Sequence, residues 1–403
     1  MTDTSALDTR PRVRTDDVVS RNEGSVARRP RVVLVQTQAE GAGAQEISRI
    51  LGHGLQAKGY DVHYVFFFRR TAAFDQQPNT FFCSLQRPTG IVTLARMFAA
   101  LVRHIGDLRP DAVLCFQHYG NILGTLAAWL AGARVVITNR TSAKSLVPRW
   151  ARLIDLMLGS VGLFRATVVN SKAIEDEYRD YPRRYRLRVH RIDHGFEAKR
   201  TSLNQRAARE ILGLPTSATL LGCVARLHPG KNLSAAIRLL LIERDWHLAF
   251  AGQGPARDDL ANLAKSLGVA DRVHFVGELM PDQVGIFLRS LDVFVFPSLA
   301  ESFGLAPVEA AQAGIPVVAN DLDVLREVLA VKGKPCALFV DVEDPCRFAA
   351  AVRTLLADKE LTATLSTRGM ELAQRYSLEA MVDRFAVLIE SLRSAPTLVR
   401  NSP

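Results

Sequence analysis

The strongest constraint on the fold is an alternation of short apolar runs with helical segments, repeated over most of the chain. A first series of runs opens at Arg31–Val35 and closes at Ala166–Val169, and a second opens at Thr219–Val224 and closes at Ala337–Val340. Short β-branched runs separated by helices are typical of parallel strands that are buried on both faces. Since crossovers between parallel strands are right-handed, each series predicts one doubly wound, Rossmann-like α/β domain.

The segment between the two series predicts the domain boundary. A turn at His194-Gly195 separates them, so we assign a first domain to 31–197 and a second to 198–377. Residues 378–403 contain a helical pattern that we expect to pack back against the first domain. Residues 1–30 are polar, arginine-rich and without aromatic residues, and they predict a disordered tail.

Composition favours a cytoplasmic globular protein. The hydrophobic content of 48% is ordinary for such proteins, and the apolar runs are too short to span a membrane. The five cysteines are scattered and odd in number, which favours reduced thiols over a disulfide framework or a zinc site. They are Cys83, Cys115, Cys223, Cys336 and Cys346.

Positive charge is concentrated in the first half of the chain. The formal net charge is +10, and residues 1–200 contain 30 Lys and Arg against 18 Asp and Glu. The densest basic cluster lies within Arg183–Arg191. Such a cluster fits either a solvated face or contact with an anionic membrane at its inner, cytoplasmic face, and the residues alone leave both open. A nucleic-acid partner is not predicted, because the chain has no recognition module and no interleaved stacking aromatics.

The segment that carries most chemistry follows the apolar strand Val293–Phe296. Glu301 lies in the Ser/Gly loop after this strand, and Glu309 lies in the helix that follows the loop. Pro307 is expected to be the first helical residue, which would put Glu309 in the first turn, and Gly314 predicts the end of the helix. The free N–H groups at the start of a helix suit a phosphate. Two carboxylates beside them predict a ligand with hydroxyls at both ends and a negative charge between.

A second segment supplies two cations. Arg226 and Lys231 lie on a Pro-Gly turn between a strand and a helix that we expect Asn232 to cap. This spacing favours phosphate binding over an exposed ion pair. The turn Gly252-Gln-Gly254 follows the next strand and is consistent with close approach of its backbone to a ligand.

Together these motifs resemble glycosyltransferase family 4, retaining enzymes of GT-B architecture. The resemblance rests on Arg226 with Lys231, the Gly-x-Gly-Pro turn at 252–255, Val276-Gly277 and the stretch from Glu301 to Glu309. It covers nearly the whole chain after the tail, and it implies two Rossmann-like domains that face a cleft between them. His194 departs from the pattern, since the family has Asn in the corresponding turn.

The resemblance also implies residue roles. Arg226, Lys231, Glu301 and His118 would be the catalytic set: the two cations bind the donor diphosphate, Glu301 binds sugar hydroxyls, and His118 touches the transferred sugar or the acceptor. The loop at 40–43 would close over the diphosphate, and Glu309 would accept hydrogen bonds from the ribose. The implied donor-binding positions are Gly41, Gly43, Gly252, Val276, Phe303, Gly304, Leu305 and Glu309.

The implied reaction moves a hexosyl group from a nucleotide-diphosphate sugar to a saccharide or lipid-linked acceptor in polysaccharide or glycolipid synthesis, with retention at the anomeric carbon. No metal and no cofactor besides the donor is expected, because two cations and two helix ends would neutralise the diphosphate. The acidic pair Asp321-Leu-Asp323 resembles metal-holding pairs of other transferases, but we assign it no metal. Its surroundings lack the glycines and the proline often found there in family 4.

Two other functions remain as alternatives. A GT-B nucleotide-sugar epimerase would interconvert sugars without an acceptor and would need a buried acid–base pair of carboxylates in the cleft. A non-catalytic nucleotide-binding protein at a membrane surface would bind the donor without turnover. A nicotinamide dehydrogenase is not predicted, because the glycine pattern that starts at Gly41 lacks its third glycine.

Overall fold

The computed structural model describes residues 28–40, 43–280 and 282–395. The expected disordered tail lies outside the described residues except for its last three positions, and Gly41 lies outside them as well. Within these ranges the structure consists of two parallel sheets covered by helices.

The first sheet has seven parallel strands in the order β3-β2-β1-β4-β5-β6-β7. Its strands are β1 Arg31–Ala39, β2 Asp61–Arg69, β3 Thr80–Phe82, β4 Ala112–Phe116, β5 Val136–Arg140, β6 Ala166–Val169 and β7 Val189–Arg191. Its helices are α1 Gly43–Ala57, α2 Ile91–Leu108, α3 His118–Leu130, α4 Arg149–Val161, α5 Lys172–Asp176 and α6 Arg183–Arg186. The strand order reverses between β1 and β4, which is the place where open α/β sheets bind ligands.

The second sheet has six parallel strands in the order β10-β9-β8-β11-β12-β15, and β13 pairs with β14 in a separate antiparallel ribbon. Its strands and those of the ribbon are β8 Thr219–Val224, β9 Trp246–Ala251, β10 Val273–Gly277, β11 Val293–Phe296, β12 Val317–Asn320, β13 Ala330–Val331, β14 Lys334–Pro335 and β15 Leu338–Val340. The remaining helices are α7 Gln205–Ile211, α8 Leu233–Ile242, α9 Arg257–Ser266, α10 Gln283–Ser290, α11 Leu305–Gln312, α12 Asp323–Val328, α13 Pro345–Ala357, α14 Lys359–Met370, α15 Leu372–Arg375 and α16 Leu378–Ser394.

The predicted fold class is confirmed: both halves are doubly wound parallel-sheet domains. The apolar pattern missed the two-residue strands β13 and β14 of the ribbon. It also missed β3 and β7, each three residues long and at an edge of the first sheet. Neither is fully buried, and β7 lies within the basic cluster, so neither has the continuous apolar run that marks a buried strand.

Alternate residues of β1 face two different helix layers, as the period of a strand requires. Val32 and Leu34 pack into the core that includes α1 and α16, whereas Val33 and Val35 pack into the core under α2, α3 and α4. The last helix, α16, therefore lies on the first domain, where Tyr60 Oη donates a 2.8 Å hydrogen bond to Glu390. No helix of the described ranges is both long enough and apolar enough to cross a bilayer.

Candidate active site

The carboxyl ends of the two sheets meet at one cleft. Gly43, the first residue of α1, lies opposite Leu305, the first residue of α11: a Cβ atom at Gly43 would be 3.2 Å from Leu305 Cδ1. The loop before α11 also joins the domains, since Ser302 Oγ donates to the Thr141 carbonyl and Ser171 Oγ donates to the Ser302 carbonyl, both at 3.0 Å. Two helix N-termini thus face each other, one from each domain.

Lys231 and Glu301 form an ion pair in this cleft. Lys231 Nζ lies 2.5 Å from Glu301 Oε1 and 5.5 Å from the centre of the Phe296 ring. The two side chains are far apart in sequence but adjacent in space, because β8 and β11 are neighbouring strands. Leu299 N also donates to the Gly230 carbonyl at 3.2 Å, which fixes one loop against the other. With 29% and 11% of their side chains exposed, the two groups are partly shielded but accessible to a ligand.

Arg226 contacts a carboxylate of the first domain. Its Nη1 atom lies 3.7 Å from Glu40 Oε1, and Arg70 Nη1 lies 3.1 Å from Glu40 Oε2. Gln38 Nε2 donates to the same carboxylate at 2.5 Å. Glu40 is buried, and its carboxylate partly neutralises the charge of Arg226. An incoming diphosphate would therefore compete with Glu40 for the guanidinium. The sequence gives no local signal for this pairing.

Gly252 and Val276 shape the loops beside Arg226. Gly252 has a φ of 136°, and a Cβ atom there would lie 2.0 Å from the Ala225 carbonyl oxygen. Its N–H donates a 2.7 Å hydrogen bond to the Gly277 carbonyl, while Val276 packs against the core. The glycine is therefore required for two backbone segments to pass closely.

Helix α11 begins earlier than predicted. It starts at Leu305, after Gly304 with a φ of 86°, so Pro307 is the third helical residue and not the first. Proline is tolerated there because the first N–H groups of a helix have no partner within it. Glu309 consequently lies in the second turn, and its predicted place in the first turn is wrong.

Glu309 is a carboxyl group in a protein-lined environment. Some of its surface remains exposed, but surrounding protein raises its pKa to about 7, chiefly through lost hydration. Lys199 opposes this shift and Glu46, on α1 across the cleft, reinforces it. Lys199, in the connection between the domains, is a neighbour that the sequence did not reveal.

Phe303 belongs to an aromatic cluster behind the cleft. It is 2% exposed, and its ring centre lies 5.1 Å from those of His194 and Tyr376. Burial lowers the pKa of His194 to about 4, and its Nε2 lies 2.9 Å from Asn170 Nδ2. His194 is thus a neutral packing residue, and the Phe303 side chain anchors the loop while its backbone leads into Gly304.

His118 lies on the first domain's side of the cleft. It begins α3 directly after Gln117, whose φ is 63°. Burial first, and then the nearby charge of Arg140, lower the pKa of His118, so its imidazole is neutral near pH 7. Arg140 is itself buried and ion-paired with Asp155.

The predicted residues are brought together only in part. Lys231 contacts Glu301, and Gly43 contacts Leu305. In the part of the chain that the structure describes, no hydrogen bond or ion pair links Arg226 to Lys231 or to Glu309.

The predicted helix cap at Asn232 is not formed, and Asp321 is paired within the protein. Asn232 precedes α8, but its Oδ1 accepts from Ser234 Oγ at 3.2 Å and caps no helical N–H, because Asn232 itself is left-handed with a φ of 48°. Asp321 Oδ2 accepts a 2.7 Å hydrogen bond from Arg326 Nη2. Among the described residues, no group of three or more His, Cys, Asp or Glu side chains is arranged to hold a metal ion.

Comparison with known proteins gives two consecutive family matches. Residues 42–200 match Glycosyltransferase Family 4, and residues 204–371 match Glycosyl transferases group 1. A lipopolysaccharide core biosynthesis mannosyltransferase from Rhizobium meliloti is 30% identical over 215 residues, which are 50% of this chain and 60% of the relative. A D-inositol 3-phosphate glycosyltransferase from Corynebacterium urealyticum is 34% identical over 207 residues, 49% of this chain and 48% of the relative.

The fold has clear counterparts among solved structures. The structure of Anabaena Alr3699/HepE in complex with UDP and glucose matches with a TM-score of 0.79 and 18% identity, over 90% of this chain and all of the other. The sequence matches to curated relatives span only about half of those proteins' lengths. Since the two family matches follow each other along both domains, the chain belongs to the group 1 glycosyl transferases of glycosyltransferase family 4, with the GT-B fold.

Proposed function

We propose that this protein transfers a hexosyl group from a nucleotide-diphosphate sugar to a saccharide or lipid-linked acceptor, with retention at the anomeric carbon. The observation that carries the proposal is the Lys231–Glu301 pair, with Arg226 nearby along the same chain segment, at the cleft where α1 and α11 begin. A negatively charged diphosphate suits these cations and free N–H groups, and the carboxylate suits sugar hydroxyls.

Each group has a defined task in this proposal. Lys231 and Arg226 stabilise the charge that develops on the departing diphosphate, and they do so without a metal ion. Glu301 holds Lys231 in place and accepts hydrogen bonds from the sugar, while Glu309 accepts them from the ribose. Glu40 releases Arg226 when the donor enters. The departing phosphate then takes the acceptor's proton on the same face of the sugar, which gives retention.

The relatives support a nucleotide-sugar donor. The Anabaena protein was solved with UDP and glucose and also with UDP-glucose. The Rhizobium relative is described as a mannosyltransferase, and the Corynebacterium relative as a glycosyltransferase of D-inositol 3-phosphate. We therefore propose screening UDP- and GDP-linked hexoses first, by thermal shift, since a ligand that binds more tightly stabilises the folded protein more at the same concentration.

The catalytic assignment is tested with Lys231→Ala and Arg226→Ala. Each is expected to lower kcat on the order of 10²–10³-fold, because each removes a charge that stabilises the leaving group. Lys265→Ala, which removes an exposed lysine on α9, is the matched control and should leave kcat unchanged. Near wild-type turnover of both site variants, with the donor that binds best, contradicts the assignment.

The epimerase alternative needs two carboxyl groups near each other in the cleft, and Glu46 of α1 is the acidic group whose charge helps to raise the pKa of Glu309. The two functions differ in their products. With donor and no acceptor, an epimerase accumulates an isomeric nucleotide sugar, whereas a transferase gives only slow hydrolysis to free nucleotide. Chromatography of the reaction products with and without a saccharide acceptor separates them, and NMR of the anomeric proton tests retention.

A cytoplasmic protein with a lipid-linked acceptor would work at the inner face of a membrane. We propose this location for the protein.

A further inference from the structure

An apolar stripe runs along the outer side of α4. Trp150, Leu153, Met157 and Val161 recur at intervals of three and four residues, which places them on one side of the helix. Between 50% and 71% of each residue is exposed, whereas Leu158, on the other side, is buried. Single exposed apolar residues are ordinary, but four in one contiguous stripe indicate an interaction surface.

Arginines lie along one side of this stripe, the side toward α6. Arg149 and Arg152 belong to α4 itself, and the exposed residues Arg183, Arg184 and Arg186 belong to α6, which packs beside α4. The one acidic residue of α4, Asp155, is buried in its ion pair with Arg140, and α6 has none. Asp180, just before α6, is exposed, and the half-buried Glu177 lies near Arg152. The charged side chains on this side of the stripe are therefore mainly positive. We call the stripe and these five arginines the α4 surface.

The α4 surface lies in the layer that α2, α3 and α4 form on one face of the first sheet. Each of these helices begins at the cleft end, because each runs back from the carboxyl end of one parallel strand to the amino end of the next. The first turn of α2 exposes Ile91 and Val92 at the same end. Apolar surface therefore extends to the side of the cleft where His118 begins α3.

We propose that the α4 surface docks on an anionic phospholipid bilayer. The apolar side chains enter the head-group region, and the arginines meet the lipid phosphates, the arrangement by which interfacial helices bind membranes. A second copy of the chain is a poorer partner, because a symmetric contact would bring the same five arginines against each other. In this orientation the cleft, which lies at the end where α2, α3 and α4 begin, is close to the lipid surface.

The apolar half of the proposal is tested by co-sedimentation of the full chain with vesicles. We expect binding to phosphatidylglycerol–phosphatidylcholine vesicles and much weaker binding to phosphatidylcholine alone. The variant Leu153→Ser/Met157→Ser/Val161→Ser should partition at least about tenfold less well onto the anionic vesicles. The matched control, Ile211→Ser/Leu241→Ser/Val387→Ser, removes equally exposed apolar residues from other surfaces and should bind like the wild type.

The charged half is tested in the same assay. Arg183→Gln/Arg184→Gln/Arg186→Gln should lose binding to anionic vesicles, and the remaining binding should depend less on salt. Arg238→Gln/Lys265→Gln/Lys359→Gln lowers the net charge equally at exposed positions of the second domain and should retain binding. Circular dichroism of all variants confirms that they are folded.

Three results would overturn the proposal. The first is wild-type binding to anionic vesicles that does not exceed binding to phosphatidylcholine. The second is equal binding by the α4 variant and its matched control. The third is a dimer in analytical ultracentrifugation that the α4 substitutions abolish while vesicle binding stays unchanged, which would assign the surface to a second copy. Vesicle binding requires neither donor nor acceptor, so failure here is distinct from failure of the proposed transfer reaction.

Discussion

At the scale of single residues, Glu309 is the cleft group whose ionisation the fold alters most clearly. Its carboxyl is surrounded by protein, and burial raises its pKa to about 7, while Lys199 lowers it and Glu46 raises it. Hydrogen bonds from ribose hydroxyls favour the ionised form of a carboxyl group. Because the pKa of Glu309 in the ligand-free protein is close to neutral pH, binding of a ribose would shift Glu309 toward its ionised form.

The substitution Glu309→Gln should change how stability depends on pH. Because the pKa in the folded state lies above the ordinary value of 4.5, the wild type loses stability as pH rises from about 4.5 through 7. The variant lacks this loss, so it should be more stable than the wild type at pH 8, by up to roughly 3 kcal/mol, with the advantage shrinking toward pH 4. Thermal unfolding across this range measures it, with Glu360→Gln on the exposed start of α14 as control. Parallel pH profiles for wild type and Glu309→Gln would contradict the assignment.

At the scale of elements, the start of α11 depends on Gly304. This residue is left-handed with a φ of 86°, and a Cβ atom there would lie 2.6 Å from Leu325 Cδ2 on α12. The glycine thus sets both the direction in which the chain enters α11 and the distance between α11 and α12. The backbone N–H groups that we assign to the donor diphosphate belong to the residues directly after Gly304.

Gly304→Ala should therefore destabilise the protein for two reasons, backbone strain and a clash with Leu325. We expect a loss on the order of 2–4 kcal/mol in unfolding free energy, together with weaker nucleotide binding. Gly59→Ala is a matched control, since Gly59 has a φ of 88° and open space around its Cβ position. Its cost should be only the strain, about 1 kcal/mol, with nucleotide affinity unchanged. Equal losses in denaturant titrations of the two variants would show that the contact with Leu325 is unimportant.

The elements also show what the sequence could and could not predict. Val293–Phe296 and Ala166–Val169 were predicted to the residue, because each is a short apolar run with sharp ends. The edge strands β3 and β7 of the first sheet were missed for lack of such a run. Residue types at the site were predictable from motifs, but partners were not: Glu40 meets Arg226 only because two domains close on each other. The predicted start of α11 at Pro307 is two residues too late, because proline is compatible with any of the first helical positions.

At the scale of the whole molecule, polar contacts link the domains beside the cleft, in addition to the packing of Phe303 against His194. Glu327 of α12 accepts hydrogen bonds from the backbone N–H groups of Lys172 and Ala173, at 2.7 and 2.8 Å, and so caps the start of α5 across the domain boundary. The Ser171–Ser302 hydrogen bond lies beside this cap. Few apolar side chains are needed for such contacts, which suits an interface that must open to admit a donor.

Removing this cap should favour the open arrangement of the two domains. Glu327→Ala leaves two N–H groups of α5 without their partner, at a cost of about 1 kcal/mol to the closed state, so nucleotide Kd should rise about fivefold. The ligand-free radius of gyration in small-angle X-ray scattering should increase as well.

Asp344→Ala is the matched control, because Asp344 caps α13 through Cys346 N and Arg347 N entirely within the second domain. It should lower the melting temperature while leaving the radius and the Kd unchanged. If both variants scatter alike and bind nucleotide alike, the cap stabilises α5 only, and closure depends on the contacts of Ser302 and Glu40.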